Sequence, residues 1–159
     1  MKKFLILVIV GAAVIFTFFY LKSDSKAVLP IETFDPVVRA TVTIGETDID
    51  VEVANTPEKM ALGLGGRESL PKGQGMLFPY GQKTPAVFWM KGMMFPIDVI
   101  WTSDDKVVQI DADVPNEPGV SDNNLKRYLP NELVDNVLEV PAGFAAEHGI
   151  EVGNTVTVH

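Results

Sequence analysis

The run Val38-Arg39-Ala40-Thr41-Val42-Thr43-Ile44-Gly45-Glu46-Thr47-Asp48-Ile49-Asp50-Val51-Glu52-Val53 decides the fold class. Two stretches rich in β-branched residues, Val38 to Ile44 and Thr47 to Val53, flank Gly45-Glu46, a connection of two-residue hairpin length. From Asp48 to Val53 acidic and apolar residues alternate strictly. Side chains alternate across a strand, so Ile49, Val51 and Val53 are expected on the core face and Asp48, Asp50 and Glu52 in water. That is the pattern of a half-buried antiparallel pair.

Working outward, Asn55 or Thr56 is placed to cap a short helix with Pro57 and Glu58 in its first turn and Gly63 or Gly65 at its end. Ile97 to Thr102 turns through Ser103-Asp104-Asp105-Lys106 into Val107 to Ile110, a second hairpin. Val137 to Val140 reads as a strand and Pro141 to His148 as a short helix stopped by Gly149. Gly149-Ile150-Glu151-Val152-Gly153-Asn154 reads as a tight turn feeding a closing strand, Thr155 to Val158. Strands outnumber helices and hairpins dominate. The expectation is an α+β, mainly antiparallel β, compact barrel-like domain with two short helices, preceded by one N-terminal transmembrane helix.

That last element rests on Phe4 to Leu21, 18 residues without a charge between Lys2-Lys3 and Lys22. As a helix it would reach about 27 Å, close to the thickness of a bilayer core. An uncleaved signal anchor is expected over 1–22. A cleaved signal peptide is the alternative, since Ser25-Lys26-Ala27 offers small residues at the right spacing. A buried core helix normally keeps a polar stripe, which this run lacks. Lys2 and Lys3 favour the cytoplasm by the positive-inside preference, although Lys22 and Lys26 on the far side weaken it. The chain is thus expected in the cell membrane, single-pass, with its C-terminal domain outside, or secreted if the segment is removed. Residues 23–36 mix charge, Ser and Pro without periodicity and read as a linker to a domain over 37–159.

There is no cysteine, which excludes disulfides, thiolate metal sites and a thiol nucleophile. Residues beyond Lys22 hold 10 basic against 21 acidic groups. Such a surface repels phosphate backbones, so nucleic acid is not expected as a partner. The same charge is also what plain solubility requires.

Four ordered runs carry a resemblance: Gly63-Leu64-Gly65-Gly66-Arg67; Gly73-Gln74-Gly75-Met76-Leu77-Phe78; Trp89-Met90-Lys91 with Pro96-Ile97-Asp98; and Val137-Leu138-Glu139-Val140-Pro141-Ala142-Gly143. Over roughly Val42 to Val158 the chain resembles the bacterial and archaeal family called domain of unknown function 192. The resemblance implies the fold and, because members often carry an N-terminal signal or anchor, the location; it assigns no reaction. Gly92 stands where that family usually has Asn, so any contribution of an amide there is absent.

Asp98 lies in a strand whose neighbours are apolar on both sides. A buried carboxylate is costly unless partnered. Asp98 therefore reads either as a staple between a loop and the sheet or as a pocket group, with Arg67, Lys91 and backbone N–H groups as partners. Met90, Met93 and Met94, with Met60 and Met76, are soft ligands that suit Cu(I), or gap-fillers in a core. With His148 at a helix end and His159 terminal, no metal site and no cofactor are expected. Asp111, Asp113, Glu117 and Asp122 are expected as a solvated acidic loop rather than a Ca²⁺ site, because their spacing matches no EF-hand. Gly63 to Gly66 lacks the Lys and Ser/Thr of a phosphate loop, so its glycines are expected to serve the backbone.

The favoured function is a membrane-tethered binding module. Its groove would be built from Arg67, Phe88, Trp89, Met90, Lys91 and Asp98, and would take a small molecule, a glycan or an envelope protein. The alternative is an envelope hydrolase or lyase with Asp98 or Glu139 as acid–base group and Lys91 or Arg67 steadying an anion. Two carboxylates facing one cavity would favour the enzyme; a carboxylate saturated by backbone donors would count against it.

Overall fold

The computed structural model describes residues 36–159; the apolar run Phe4 to Leu21 and residues 23–35 of the expected linker lie outside them. Both hairpins form. Strand β1 (Arg39–Ile44) pairs antiparallel with β2 (Thr47–Val53), with Ile44 opposite Thr47. Gly45 takes φ 62° at the first turn position, a backbone state that costs glycine nothing. Ile49 and Val51 are fully buried, as the alternation requires. Glu52 departs from it: Arg67 grips its carboxylate with two hydrogen bonds of 3.1 and 2.7 Å. That hydrogen bonding holds the Glu52 carboxyl below its usual range.

The helix α1 (Pro57–Leu62) starts at Thr56, whose side chain accepts from the Lys59 N–H at 3.3 Å, and ends at Gly63. Strand β3 (Gln74–Thr84) follows, then the hairpin of β4 (Ile97–Ser103) and β5 (Lys106–Val114). Asp104 and Asp105 form its tip, both with positive φ, 50° and 57°, as a primed turn needs. Strand β6 (Val134–Pro141), helix α2 (Phe144–Glu147) and strand β7 (Val156–Val158) complete the chain.

One strand was not expected, and one expectation is corrected. Strand β3 replaces what the sequence left as an unassigned motif. Asp111 and Asp113 belong to β5 rather than to a solvated loop. Asp111 accepts from the Trp101 indole N–H at 2.7 Å, which ties it to the sheet.

The strands form one sheet in the order β5-β4-β6-β3-β2-β1-β7, antiparallel throughout except for β2 beside β3. The sheet curls into a half-barrel. Its edge strands approach where Lys106 bridges Thr155, with Val107 N–H donating to Asn154 at 3.0 Å and Gly153 N–H to Val107 at 2.8 Å. Val42, Val51, Leu77, Ile100, Leu138 and Val156 fill the concave face. On the other face Met76, Phe78, Ile97, Val99, Trp101 and Val137 form a second cluster, covered by the segments that hold Leu64, Met90 and Tyr128. Central strands are therefore apolar on both faces, and every residue of β4 is buried.

Candidate functional site

On that second face an open cleft of about 220 Å³ lies between α1 and the segment Val87 to Met93. One wall is Met60, Ala61 and Leu62 with the glycine turn; the other is Val87, Phe88, Trp89, Lys91 and Met93. Phe78, Tyr80 and Glu139 line it from the sheet. Alternation puts them there. Phe78 and Tyr80 are two apart on β3, and Val137 and Glu139 are two apart on β6.

The glycine turn earns its composition through close backbone approach. A Cβ on Gly65 would stand 3.0 Å from the carbonyl oxygens of both Leu62 and Lys91. Gly66 donates its N–H to the Gly92 carbonyl at 2.9 Å. Gly92 has φ 69°, a left-handed state open to Gly and also to Asn. Asn is among the side chains that tolerate this state best, and Gly adopts it without the Cβ strain. Phe88 is fixed from behind by two backbone hydrogen bonds with Tyr128, of 3.0 and 2.9 Å, and by edge-on contact with Phe78 and Trp101.

Glu139 is the chemically distinctive group. It is 5% exposed, and its Oε2 is buried with no hydrogen-bond partner among the described residues. Burial pushes its carboxyl up to about 8, and the positive charge of Arg67 pulls the other way. Tyr80 is raised as well, by its own burial and by the charge of Glu139. A group that titrates near neutrality at the base of an open cleft can donate or accept a proton, or pair with a cation.

The remaining candidates separate. Phe88, Trp89 and Lys91 line the cleft with Glu139. Met90 points away into the core at 3% exposure. Arg67 sits in an adjoining groove with Glu52 and Val53 that shares Leu62 and Gly63 with the cleft. Asp98 is elsewhere, fully buried, accepting the N–H groups of Asp113, Gly143 and Ala145 at 2.8, 3.0 and 2.9 Å. It is the staple, not a lining group. Tyr80, Phe78 and Leu62 line the cleft without having been singled out from sequence; β3 had first to be seen as a strand.

The sequence matches the family model for domain of unknown function 192, described as Uncharacterized ACR, over residues 40–158. The chain belongs to this family. No curated protein matches the sequence. Among solved structures, this domain of unknown function 192 protein is similar to one from Novosphingobium aromaticivorans DSM 12444, of unknown function. The two share 30% identity over 82% of this chain and 91% of that one, with a TM-score of 0.66. A protein of Sinorhizobium meliloti 1021, described as a proposed transcription regulator, shares 24% identity over 78% of this chain and 96% of that one, with a TM-score of 0.69. The latter likeness establishes the fold alone.

Proposed function

We propose that this family member is a binding module, tethered to a membrane by Phe4 to Leu21 with residues 36–159 outside the cytoplasm, whose cleft takes a small molecule or the end of an envelope glycan or protein. The observation that carries the reading is the unpartnered Glu139 Oε2 beside an open cleft. Nearly all buried polar groups have a partner, because an unmade hydrogen bond costs about 1–3 kcal/mol. A ligand group supplies the missing one. Trp89 at 40% exposure and Leu62 at 66% give the cleft an apolar rim.

Binding is favoured over hydrolase or lyase chemistry because Asp98 is occupied by three backbone donors away from the cleft, which leaves Glu139 as the sole carboxylate lining it among the described residues. The acidic balance opposes a nucleic-acid role, so the regulator description of the Sinorhizobium protein is not carried over.

The test is thermal unfolding of the full chain against a panel of small metabolites, glycans and peptidoglycan fragments. A ligand at about 100 times its Kd stabilises by about 2.7 kcal/mol, a shift of several degrees. The shift is expected to disappear in Glu139→Gln and Trp89→Ala. A ligand shift that survives both substitutions places binding elsewhere and ends this reading.

A further inference from the structure

The cleft's lining also selects a ligand class. Phe78, Tyr80, Phe88 and Trp89 line the cleft together with the one carboxyl group of Glu139. A ring that meets a ligand with its electronegative face adds to Glu139 in favouring positive charge. Trp89 already takes a cation, the Arg127 guanidinium, 4.2 Å from its ring centre. Among the described residues Lys91 is the one cationic side chain in the lining, and its ammonium is drawn to Asp122 at 2.7 Å. Arg67, whose charge also reaches Glu139, is engaged by Glu52 in two hydrogen bonds.

Resting on the reading of the cleft as a ligand site, we propose that its ligand is an organic ammonium group, either a quaternary head group or a primary amine on a short aliphatic chain. The cation meets Glu139 and the rings, and Met60, Leu62 and Met93 take the aliphatic part. An anion would face the carboxyl and the ring faces at once. A neutral hydrogen-bond donor would satisfy Glu139 but gain nothing from the ring quadrupoles. The volume, about 220 Å³, is below the roughly 300–1,000 Å³ of drug-sized pockets, which suits a head group or side-chain terminus.

A pH dependence follows. The groups that bear on Glu139 are Tyr80 from β3, Arg67 beyond α1 and Lys91 from the facing wall. With the free carboxyl held near 8 by burial, an ammonium must displace its proton. Apparent affinity then rises by up to about tenfold per pH unit below that value, with proton release.

The experiment is a titration of the full chain in a non-ionic detergent, following the Glu139 carboxyl ¹³C and Trp89 indole ¹⁵N signals. The probes are choline, its uncharged isostere 3,3-dimethyl-1-butanol, n-butylammonium and butyrate. Choline or butylammonium is expected to bind at least about tenfold more tightly than the isostere or butyrate, because cation–π and charge-assisted contacts are lost without the charge. Binding should release protons at pH 7 and weaken about tenfold or more in Glu139→Gln. Tighter binding of choline names a quaternary head group as the source; tighter binding of butylammonium names a lysine-like amine. Equal binding by the isostere, or preference for butyrate, at these same signals overturns the ammonium assignment and leaves the cleft as a ligand site. No response from any probe also overturns it. Cation binding that moves neither signal and ignores Glu139→Gln overturns both readings.

Discussion

Glu139 and Asp98 are the same chemical problem solved in opposite ways. Each is a carboxylate inside the sheet, at 5% and 0% exposure. Asp98 is satisfied by three N–H groups, whereas Glu139 keeps one oxygen unpartnered among the described residues. The consequence for Glu139 is measurable. Its folded-state value, about 8, stands above the ordinary 4.5, so between these values the folded chain holds a proton that the unfolded chain has lost. Stability therefore falls as pH rises through that window, on the order of 1 kcal/mol per unit. Glu52, held low by Arg67, has its effect below the window; Tyr80, raised from 10, has its effect above it. Glu139→Gln should flatten the decline and be the more stable protein at pH 8, by denaturant unfolding of both at pH 5 and pH 8. Equal pH slopes in the two proteins would mean that Glu139 is ionised at neutral pH.

At the scale of elements, Asp98 joins three of them. From β4 it accepts from Asp113 in β5, and from Gly143 and Ala145 at the start of α2, so it caps that helix from the sheet. Asp98→Ala leaves three N–H donors, that of buried Ala145 among them, without their acceptor and should destabilise by about 3–5 kcal/mol, with amide exchange accelerated at Gly143 and Ala145. A loss under about 1 kcal/mol would show that water replaces the carboxylate. The first hairpin was legible because its turn is two residues long and β2 alternates, the second because the polar run Ser103-Asp104-Asp105-Lys106 parts two apolar stretches. Strand β3 was not. Gly75, Pro79 and Gly81 interrupt it, four consecutive residues from Gly75 to Phe78 are buried, and its partner β2 is parallel and separated from it by a helix. Without β3, Phe78 and Tyr80 could not be placed beside Glu139. From sequence Asp98 was placed in the groove and Glu139 was not, because the donors that occupy Asp98 lie 15, 45 and 47 residues away along the chain.

For the whole molecule, the absence of cysteine makes residues 36–159 depend on packing: the concave cluster sealed where β5 meets β7, and the second cluster beneath the cleft. The same absence gives a direct test of location, since any introduced thiol is unique. Among the described residues no helix is long and apolar enough to cross a membrane, so the tether proposed here rests on Phe4 to Leu21 and its flanking lysines. The positive-inside preference would keep Lys2 and Lys3 in the cytoplasm. The excess of acidic over basic residues beyond Lys22 would then keep the domain from lying on anionic head groups. Glu46, exposed at the tip of the first hairpin, is a site where substitution disturbs no packing. Glu46→Cys should react with a membrane-impermeant maleimide in intact cells stripped of any outer envelope. Lys3→Cys should react only after lysis. Labelling of Glu46→Cys that requires lysis would place the domain inside and remove envelope ligands from consideration. A labelled chain found free of the membrane, with a mass lacking residues before Val28, would instead show the apolar run to be a cleaved signal.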